Sequence, residues 1–374
     1  GWKTQTGSGE ETQMNDAPIL IMAGGTGGHV FPALAVAHEL AALNRSVVWL
    51  GTRRGIENRL VPAAGISLEH IRVAGLRRKG ALSWLLAPLN VAIAIWDALR
   101  IVHRRRPSVV LGMGGFASGP GGVAAWLLRR PLVIHEQNAA PGLTNRLLAR
   151  LAREVLQAFP GSFSASISAR TIGNPVRAEL FALALPESRV ARHEGDLRIL
   201  VLGGSQGALV LNQTVPAAAA LLPAGLSLDI WHQAGTATLD EARNNYRDNA
   251  IDARVDEFID DMAEAYGWAD MVICRSGALT VSELAAVGLG AILVPYPSAV
   301  DDHQTLNARF LVDAGAAVLM PQASLSAQAL ADELAAWAGD RQLVNERAVN
   351  ARSLARPDAT RDLADVCLAQ EIAA

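Results

Sequence analysis

The stretch ICRSGALTVSELAAVGLGAILVPYP, residues 273–297, sets out the architecture expected of the whole chain. Its pattern predicts a buried strand ending at Cys274, a helix over 278–287 and a second buried strand over 291–294. Gly288 is placed to end the helix. A strand that runs directly into a helix leaves the first N–H groups of that helix at the carboxyl edge of a parallel sheet. Such a helix start favours an anion, for example a diphosphate.

Glu283 is an unusual charge within this apolar helix. The spacing Thr280-x-x-Glu283 fits a capping box, in which the carboxylate binds a backbone N–H. Alternatively, the carboxylate accepts hydrogen bonds from both hydroxyls of a ribose, as acidic residues do in nucleotide-binding folds. The segment alone does not favour one role over the other.

Length and composition indicate two domains in a cytosolic protein. A chain of 374 residues exceeds one typical domain and fits two of about 150–200 residues each. With 51% hydrophobic residues it can build large cores, and its net charge of −3 argues against a general nucleic-acid binder. The two cysteines, Cys274 and Cys367, have no metal-type spacing. This usage is typical of a reducing compartment, without disulfides or structural zinc.

No segment of the chain has the pattern of a secretion signal or a membrane span. Residues 1–16 lack a basic start and an apolar core, and we expect them to be a disordered extension. The longest apolar run, over 81–96, contains Pro88 and Asn90 and is shorter than the roughly 20 residues that span a bilayer. The sequence therefore predicts no transmembrane helix.

A glycine-rich loop follows the first predicted strand, over 18–22. Four of the five residues in 24–28 are glycines, which lets the backbone turn tightly and approach a ligand closely. Val30 stands where the dinucleotide fingerprint requires its third glycine, so a nicotinamide or flavin enzyme is disfavoured. His29, at the lip of this loop, is a candidate proton acceptor near neutral pH.

A second glycine-rich loop is predicted at the same sheet edge. Strands expected over 47–50, 68–73 and 108–111 alternate with helices, which indicates a parallel sheet. The loop GMGGFASGPGG, residues 112–122, follows the last of them, and two such loops suggest a second phosphate- or sugar-bearing ligand. The next strand ends in HEQN, residues 135–138, at the edge where ligands bind in open α/β sheets.

Between the two loops, residues 76–106 combine apolar bulk with clustered cations. The apolar positions form two helical stripes, of which the first suits a core and the second leaves little polar face. The first stripe is Leu82, Leu85, Leu86, Leu89, Ile93 and Trp96, and the second is Trp84, Val91 and Ile95. The flanking cations are Arg77, Arg78, Lys79, Arg104, Arg105 and Arg106. The segment is either a helix buried on two sides or one that rests in the membrane interface, and we favour the second.

The second half of the chain repeats the opening design. ILVLGGSQGA, over 199–208, matches ILIMAGGTGG, over 19–28, and follows a predicted connector over 160–196. The Ser205 hydroxyl and neighbouring glycine amides could bind a diphosphate. Two such halves predict two Rossmann-like domains with parallel sheets, facing each other across a cleft.

Eight motifs, taken in order, carry a family resemblance. They are GGTGGHVFPALAVA, GMGGFASGPGG, HEQNAAPGLTN, GNPVR, GGSQGA, EFIDDMAEAYGWAD, CRSGALTVSE and DDHQTLNA. Together they resemble the MurG family of bacterial N-acetylglucosaminyltransferases, over nearly everything from Pro18 onward. The resemblance implies the two-domain GT-B fold. An N-terminal acceptor- and membrane-facing domain would occupy 17–173, and a C-terminal UDP-GlcNAc-binding domain 174–374, with the last helix packing back on the first domain.

The resemblance also implies donor-site roles for individual residues. The main chain at Ile259 would meet the uracil, and Glu283 would bind the ribose hydroxyls, with a simultaneous capping role still open. Ser205 and Arg177 would lie by the diphosphate. The sugar side would be lined by Ala278, Leu279, Thr280, Val281, Ser282 and Gln304. From the N-terminal domain, Thr26, Gly27, Gly28 and Asn138 would close over the GlcNAc and the acceptor.

The implied reaction is transfer of GlcNAc, with inversion, from UDP-GlcNAc to the 4-hydroxyl of undecaprenyl-diphosphate-linked MurNAc-pentapeptide, the lipid I to lipid II step of peptidoglycan synthesis. His29 is the preferred base, and Glu136, which also leaves the end of a strand, is the second candidate. No Asp-x-Asp motif lies near the predicted donor site, so we expect no metal and no cofactor.

The expected partners are the two substrates and an anionic membrane surface, met through residues 76–106. Catalysis would take place at the cytoplasmic face of the cell membrane, beside other proteins of cell-wall synthesis, with consequences for cell shape and division. No nucleic acid is expected.

Two other hypotheses fit parts of the pattern. A nucleotide-sugar epimerase can share the fold but needs no lipid acceptor, so the second glycine-rich loop and the apolar, basic segment argue against it. A catalytically silent sugar-nucleotide or lipid-binding protein would not need His29, Glu283 and Gln304 together.

Overall fold

A computed structural model of the protein describes residues 17–72, 87–193, 195–204, 207–297, 299 and 302–372. Within these residues the chain forms two parallel β-sheets, each covered by helices. The predicted α/β class with two Rossmann-like halves is confirmed.

The first sheet in the described part of the chain has seven parallel strands in the order β3-β2-β1-β4-β5-β6-β7. The strands are β1 (Ile19–Met22), β2 (Val47–Thr52), β3 (Ser67–Ile71), β4 (Val109–Gly112), β5 (Leu132–Glu136), β6 (Glu154–Gln157) and β7 (Ala169–Thr171). The helices are α1 (Gly27–Ala42), α2 (Glu57–Ala63), α3 (Ala87–Arg105), α4 (Ser118–Leu127) and α5 (Leu143–Leu148). The connector predicted over 160–196 is wrong in part, because β7 extends this sheet by pairing with β6.

The second sheet, counted over the same described residues, has six parallel strands in the order β10-β9-β8-β11-β12-β13. Its strands are β8 (Leu197–Leu202), β9 (Leu228–Gln233), β10 (Arg254–Asp256), β11 (Met271–Cys274), β12 (Gly290–Leu293) and β13 (Ala317–Leu319). The helices that follow β7 are α6 (Ala178–Phe181), α7 (Pro186–Arg192), α8 (Leu209–Ala219), α9 (Leu239–Asp248), α10 (Met262–Trp268), α11 (Ala278–Val287), α12 (His303–Val312), α13 (Ala327–Gly339), α14 (Arg341–Ser353) and α15 (Ala359–Ile372).

Both sheets reverse their strand order at an equivalent place. In the first, β1 lies between β2 and β4, and in the second, β8 lies between β9 and β11. Ligands of open α/β sheets bind in the crevice at the carboxyl ends of such strands. The loops that follow β1, β4, β8 and β11 are the glycine-containing turns predicted from the sequence, so each sheet presents a pair of them at its switch point.

Alternation along the strands produces a core on each face. In β1, Ile19 and Ile21 join one buried cluster, whereas Leu20 and Met22 join the cluster on the opposite face. Successive side chains of a strand point to opposite faces, so an unbroken apolar run is what a sheet covered on both sides requires.

The core stripe predicted along α3 is wrong for two of its three described members, because only Ile93 is partly buried. Leu89 and Trp96 are exposed, Trp96 by 56%. The face that packs on the sheet instead carries mainly smaller side chains, namely Ala94, Ala98, Ile101 and Val102. A short side chain lets the helix approach the sheet closely, and periodicity alone did not separate the two faces. Leu82, Leu85 and Leu86 of this stripe lie outside the described residues, as do Trp84 of the second stripe and the cations Arg77, Arg78 and Lys79.

The chain crosses between the two sheets twice. It leaves the first sheet after β7, and it returns after α14 so that α15 packs against α1 and β4. Cys367 of α15 is buried in the core of the first sheet, and Glu371 forms an ion pair with Arg45 at 2.6 Å. The two crossings are in contact. Gly173 of the first packs so closely on Arg356 of the second that a Cβ added at Gly173 would lie 2.5 Å from the Cβ of Arg356.

Candidate active site

The two glycine-rich loops of the first sheet pack directly on each other. A Cβ on Gly115, which has a φ of +84°, would lie 2.3 Å from the carbonyl oxygen of Gly24. A Cβ on Gly114 would lie 2.8 Å from Nδ1 of His29. These glycines therefore have a packing role in addition to the role in ligand approach that the sequence predicted. Their absence of side chains brings the β4 loop and the start of α1 into contact.

The start of α1 presents the predicted acceptor-side residues. Thr26 is the N-cap residue, with an extended backbone and no capping hydrogen bond from its side chain. Thr26 and Gly28 are exposed, and Gly27 and His29 are partly buried. The first N–H groups of a helix have no intrahelical acceptors and carry partial positive charge, so this surface suits a phosphate or a developing oxyanion.

Glu57, which was not predicted from the sequence, supports this loop from beneath. Its fully buried carboxylate accepts hydrogen bonds from the N–H groups of Gly25 at 3.0 Å and Thr52 at 3.1 Å, and from the Thr52 hydroxyl at 3.0 Å. A Cβ on Gly24 would lie 2.6 Å from Oε1 of Glu57. In the sequence, Glu57 resembles an ordinary acidic residue in the first turn of a helix, so no signal distinguished it.

Glu136 is held as a structural carboxylate. It is 2% exposed, and its two oxygens accept four hydrogen bonds: from the N–H and side-chain amide of Asn138, from the N–H of Gly142 and from the side-chain amide of Asn145. A general base needs a free oxygen within reach of the proton that it removes. The geometry favours a role for Glu136 in shaping the loop over 137–142.

Asn138 is linked to the second domain. Its side-chain oxygen accepts a hydrogen bond at 3.3 Å from Asn307 of α12, whose own oxygen accepts from the N–H of Ala139 at 2.8 Å. Asn307 is fully buried and also donates to the carbonyl of Ser276, before α11. Asn307, which was not predicted, therefore joins the HEQN loop to the helix starts of the C-terminal domain.

Glu283 does not cap its helix. The helix α11 begins at Ala278 with Gly277 as its N-cap, so Glu283 lies in the second turn, beyond reach of the free N–H groups. The capping box fitted to Thr280 and Glu283 is therefore wrong. The carboxylate instead accepts a hydrogen bond from the Tyr266 hydroxyl at 3.0 Å and faces the Arg177 guanidinium at 3.5 Å.

The electrostatics of this pair follow from burial. Burial raises the pKa of Glu283 above its ordinary value, while the charge of Arg177 and the hydrogen bond from Tyr266 act in the opposite direction. Burial, together with the neighbouring carboxylate, raises the pKa of Tyr266 well above its usual range. A buried carboxylate held by one half-exposed arginine leaves hydrogen-bonding capacity for a polar ligand.

The other predicted donor residues lie around the start of α11. Val281 is fully buried and Ala278 nearly so, whereas Leu279, Thr280 and Ser282 are partly buried. The Ser282 hydroxyl accepts a hydrogen bond from Asn174, which lies in the linker between the sheets. Ile259 is buried in the C-terminal core, in the loop that follows β10.

An open cavity of about 580 Å³ lies at the switch point of the second sheet. It is lined by Gly203, Gly207, Arg275, Tyr296, Gln304 and Gln322, among others. Gln304 accepts a hydrogen bond from the N–H of Tyr296 at 2.9 Å. Arg275 donates to the carbonyls of Val294 and Pro295 and to the side chain of Gln322, so it holds this wall together. Ser205 lies outside the described residues.

Two features are absent from the described part of the chain. It contains no cluster of three or more His, Cys, Asp or Glu side chains that could hold a metal ion. None of its helices is long and apolar enough to cross a membrane.

Two Rossmann-like sheets, each with paired loops at its switch point, and a linker that joins both sites define a GT-B glycosyltransferase. Comparison with known proteins agrees. The model of the glycosyltransferase family 28 N-terminal domain matches residues 19–157, and that of the glycosyltransferase family 28 C-terminal domain matches residues 198–365. The chain belongs to glycosyltransferase family 28.

Individual relatives are similar over nearly their whole length. A protein of Alkalilimnicola ehrlichii is 57% identical over 94% of this chain and 98% of its own, and one of Marinobacter nauticus is 53% identical over 95% and 99%. Both are named UDP-N-acetylglucosamine--N-acetylmuramyl-(pentapeptide) pyrophosphoryl-undecaprenol N-acetylglucosamine transferase.

Solved structures agree with the fold. The crystal structure of MurG from Acinetobacter baumannii superposes with a TM-score of 0.83 at 39% identity, over 94% of this chain and 99% of that one. The calicheamicin glycosyltransferase CalG4 superposes with a TM-score of 0.65 at 15% identity, which shows the fold alone.

Proposed function

We propose that this protein transfers GlcNAc from UDP-GlcNAc to the 4-hydroxyl of undecaprenyl-diphosphate-linked MurNAc-pentapeptide, converting lipid I to lipid II. The observation that carries the proposal is the presence of relatives with this activity name at 53–57% identity over nearly the full chain. The geometry supports it with a histidine at a helix start in the first domain and a buried, arginine-paired carboxylate in the second.

The reaction is a direct displacement with inversion. The acceptor oxygen forms a bond to the anomeric carbon of GlcNAc while the bond from that carbon to the diphosphate oxygen breaks, and the electron pair leaves with UDP. His29 takes the hydroxyl proton. The positive helix starts and Arg177 stabilise the negative charge that grows on the diphosphate, and Glu283 binds the ribose hydroxyls. This displacement requires no cofactor or metal.

The sugar and the acceptor are held from both domains. Thr26, Gly27 and Gly28 at the start of α1 and Asn138 in the HEQN loop approach from the first domain. The start of α11 and Gln304 approach from the second. Glu136 acts by positioning Asn138, because its oxygens are already occupied by the loop that it holds.

The protein reaches its lipid acceptor by docking on the cytoplasmic face of the cell membrane. The helices α3, α4 and α5 lie side by side and carry exposed apolar side chains. We call these the apolar surface, namely Leu89, Val91, Trp96, Trp126, Leu127, Leu143 and Leu147. Burial of such side chains in the headgroup region supplies a contribution that salt does not screen.

Part of the charge predicted for docking is used within the protein. Arg104 and Arg105 both bind Glu69, at 2.8 and 2.6 Å, so their attraction to anionic lipid is offset. Arg100 lies over the Trp96 ring at 5.3 Å and is exposed. The attraction of this end of the segment to an anionic membrane therefore rests on Arg100, on the exposed Arg106 and on the apolar surface.

The activity test is incubation with sugar-labelled UDP-GlcNAc, with and without a water-soluble, short-chain lipid-diphosphate acceptor. Acceptor-dependent incorporation of label is the expected result. Epimerisation of the donor without acceptor would identify an epimerase, and binding without turnover would identify a silent binding protein. Either outcome overturns the proposal.

Docking is tested with vesicles that contain anionic lipid. Binding should weaken with salt but persist, and Trp96→Ser with Arg100→Glu should reduce it while activity on the soluble acceptor is retained. Leu221→Ser, at an exposed site in the second domain, is the matched control. If the double variant sediments with vesicles as the parent does, the docking surface lies elsewhere.

A further inference from the structure

A chain of hydrogen bonds runs from the linker between the sheets to His29. The carbonyl oxygen of Gly173 lies 2.9 Å from Nε2 of His135, and Nδ1 of His135 lies 3.2 Å from Nε2 of Gln137. At the other end of the same amide, Oε1 of Gln137 lies 3.0 Å from Nδ1 of His29. His135 is fully buried and Gln137 is 2% exposed. We call this chain the Gly173–His29 relay.

The direction of each hydrogen bond in the relay can be assigned from chemistry. A carbonyl oxygen only accepts, so Nε2 of His135 carries a proton. Burial lowers the pKa of His135 to about 4, so its ring is neutral and Nδ1 accepts. The amine end of Gln137 faces that Nδ1 and also the carbonyl oxygen of His135, at 3.3 Å. Two acceptors fix the amine end there, so Oε1 of Gln137 faces His29.

This assignment determines the tautomer of His29. The amide oxygen of Gln137 can only accept, so Nδ1 of His29 donates to it and carries the ring proton of the neutral form. Nε2 of His29 then has the lone pair. Packing restricts the ring as well, because Gly114 leaves no side chain between the β4 loop and the imidazole.

We propose that His135 and Gln137 are positioning residues, which hold His29 in the tautomer protonated at Nδ1 so that Nε2 receives the proton of the acceptor hydroxyl. This inference rests on the proposed function, in which His29 is the base. Neither His135 nor Gln137 touches the reacting atoms, and they act through the orientation and protonation of His29.

The relay also depends on the linker through a second contact. Asn174 follows Gly173 and donates a hydrogen bond to the main-chain carbonyl of Gln137 at 3.0 Å. The same amide donates to the Ser282 hydroxyl of α11 at 3.0 Å. The linker therefore fixes both the far end of the relay and the backbone of Gln137, and it connects them to the start of the donor-side helix.

The first test uses the unaltered protein. NMR spectra of protein labelled with ¹⁵N in its imidazole rings, recorded at about pH 8 where an ordinary histidine is neutral, distinguish a protonated from an unprotonated ring nitrogen. The chain has eight histidines, and the spectrum of His29→Ala assigns the signals of His29 by difference. A proton on Nδ1 is expected. A proton on Nε2 would overturn the inference.

The second test compares two substitutions at one position. Gln137→Leu and Gln137→Glu both remove the amine end that faces His135, but only Glu retains an acceptor for Nδ1 of His29. We expect Gln137→Leu to lower kcat by at least about tenfold, with the KM for UDP-GlcNAc little changed, and Gln137→Glu to retain kcat within about threefold. Thermal unfolding and UDP binding establish that both variants are folded.

The outcomes separate this inference from the proposed function. If Leu and Glu lower kcat equally, or if the ¹⁵N signals of His29 are the same in both, Gln137 is only a packing residue and the relay is wrong. If His29→Ala retains near-normal turnover, the assignment of the base is wrong. If no variant or parent transfers GlcNAc, the proposed function fails, whereas the tautomer measurement still reports on the relay.

Discussion

Glu283→Gln should make the protein more stable and its donor binding weaker. In the free protein the carboxylate is buried, and burial raises its pKa above the ordinary value of 4.5. A glutamine of the same shape removes the buried charge and can still accept the hydrogen bond from Tyr266. Opposite changes in stability and affinity are what a residue retained for binding should show.

The effect on binding can be estimated from the two hydrogen bonds to the ribose. A hydrogen bond to a charged group contributes about 1.5–3 kcal/mol and a neutral one about 0.5–1.5, so each bond loses about 1 kcal/mol. The two losses together correspond to a roughly 30-fold weaker Kd for UDP-GlcNAc. Isothermal titration of the parent and the variant measures this ratio.

The stability effect has a defined pH dependence. A carboxylate whose folded-state pKa is raised contributes stability that is fully present below its unfolded pKa and is lost as the pH rises through the folded one. The variant carries no such group, so its advantage in urea unfolding should be absent near pH 4.5 and should grow toward neutral pH. The matched control is Glu179→Gln, which removes an exposed charge 3.5 Å from the same Arg177.

One outcome would refute the reasoning. If Glu283→Gln is less stable than the parent at neutral pH and binds UDP-GlcNAc equally well, the carboxylate is a structural partner of Tyr266 and Arg177 and not a ribose ligand.

Three further predictions concern the first domain and its contact with the second. His29→Ala should lower turnover about 10²–10⁴-fold with donor affinity little changed, and near-normal turnover would exclude it as the base. Gly115→Ala places a Cβ 2.3 Å from the carbonyl oxygen of Gly24, at a residue whose φ is +84°. Backbone strain and this clash should together lower the free energy of unfolding by several kcal/mol, as measured by chemical unfolding. Gly142→Ala is its control, since nothing lies within 4 Å of that Cβ. Asn307→Ala should lower the free energy of unfolding by about 1–3 kcal/mol, because the N–H of Ala139 loses its acceptor, and an unchanged value would show that water replaces it.

The helices and strands that follow a regular apolar pattern were predicted from the sequence. The helix expected over 278–287 is α11, and its left-handed C-cap is Gly288, the residue predicted to end it. Such a helix depends on neighbours along the chain, which the sequence shows directly. The repeated strand–glycine–helix pattern likewise identified both switch points, because the residues of each pattern are adjacent in the sequence.

The missed features depend on partners far away in the chain. Glu57 binds Gly25, and Asn307 binds Ala139, across separations of 32 and 168 residues. A polar residue in a helix has the same local pattern whether its partner is water or a distant loop. The capping box at Thr280 failed for a related reason, because the local spacing was right but the N-cap lies three residues earlier, at Gly277.

At the contact between Gly173 and Arg356, the two crossings of the chain between the halves of the molecule lie side by side. Both covalent crossings pass through this point, so we expect any rotation that opens or closes the crevice to have its axis near it. Displacement in such a rotation grows with distance from the axis and is smallest beside it. The carbonyl of Gly173 is the anchor of the Gly173–His29 relay. The His135 end of the relay is therefore held where such a rotation would displace it least, and we expect the orientation of His29 to change little during the rotation.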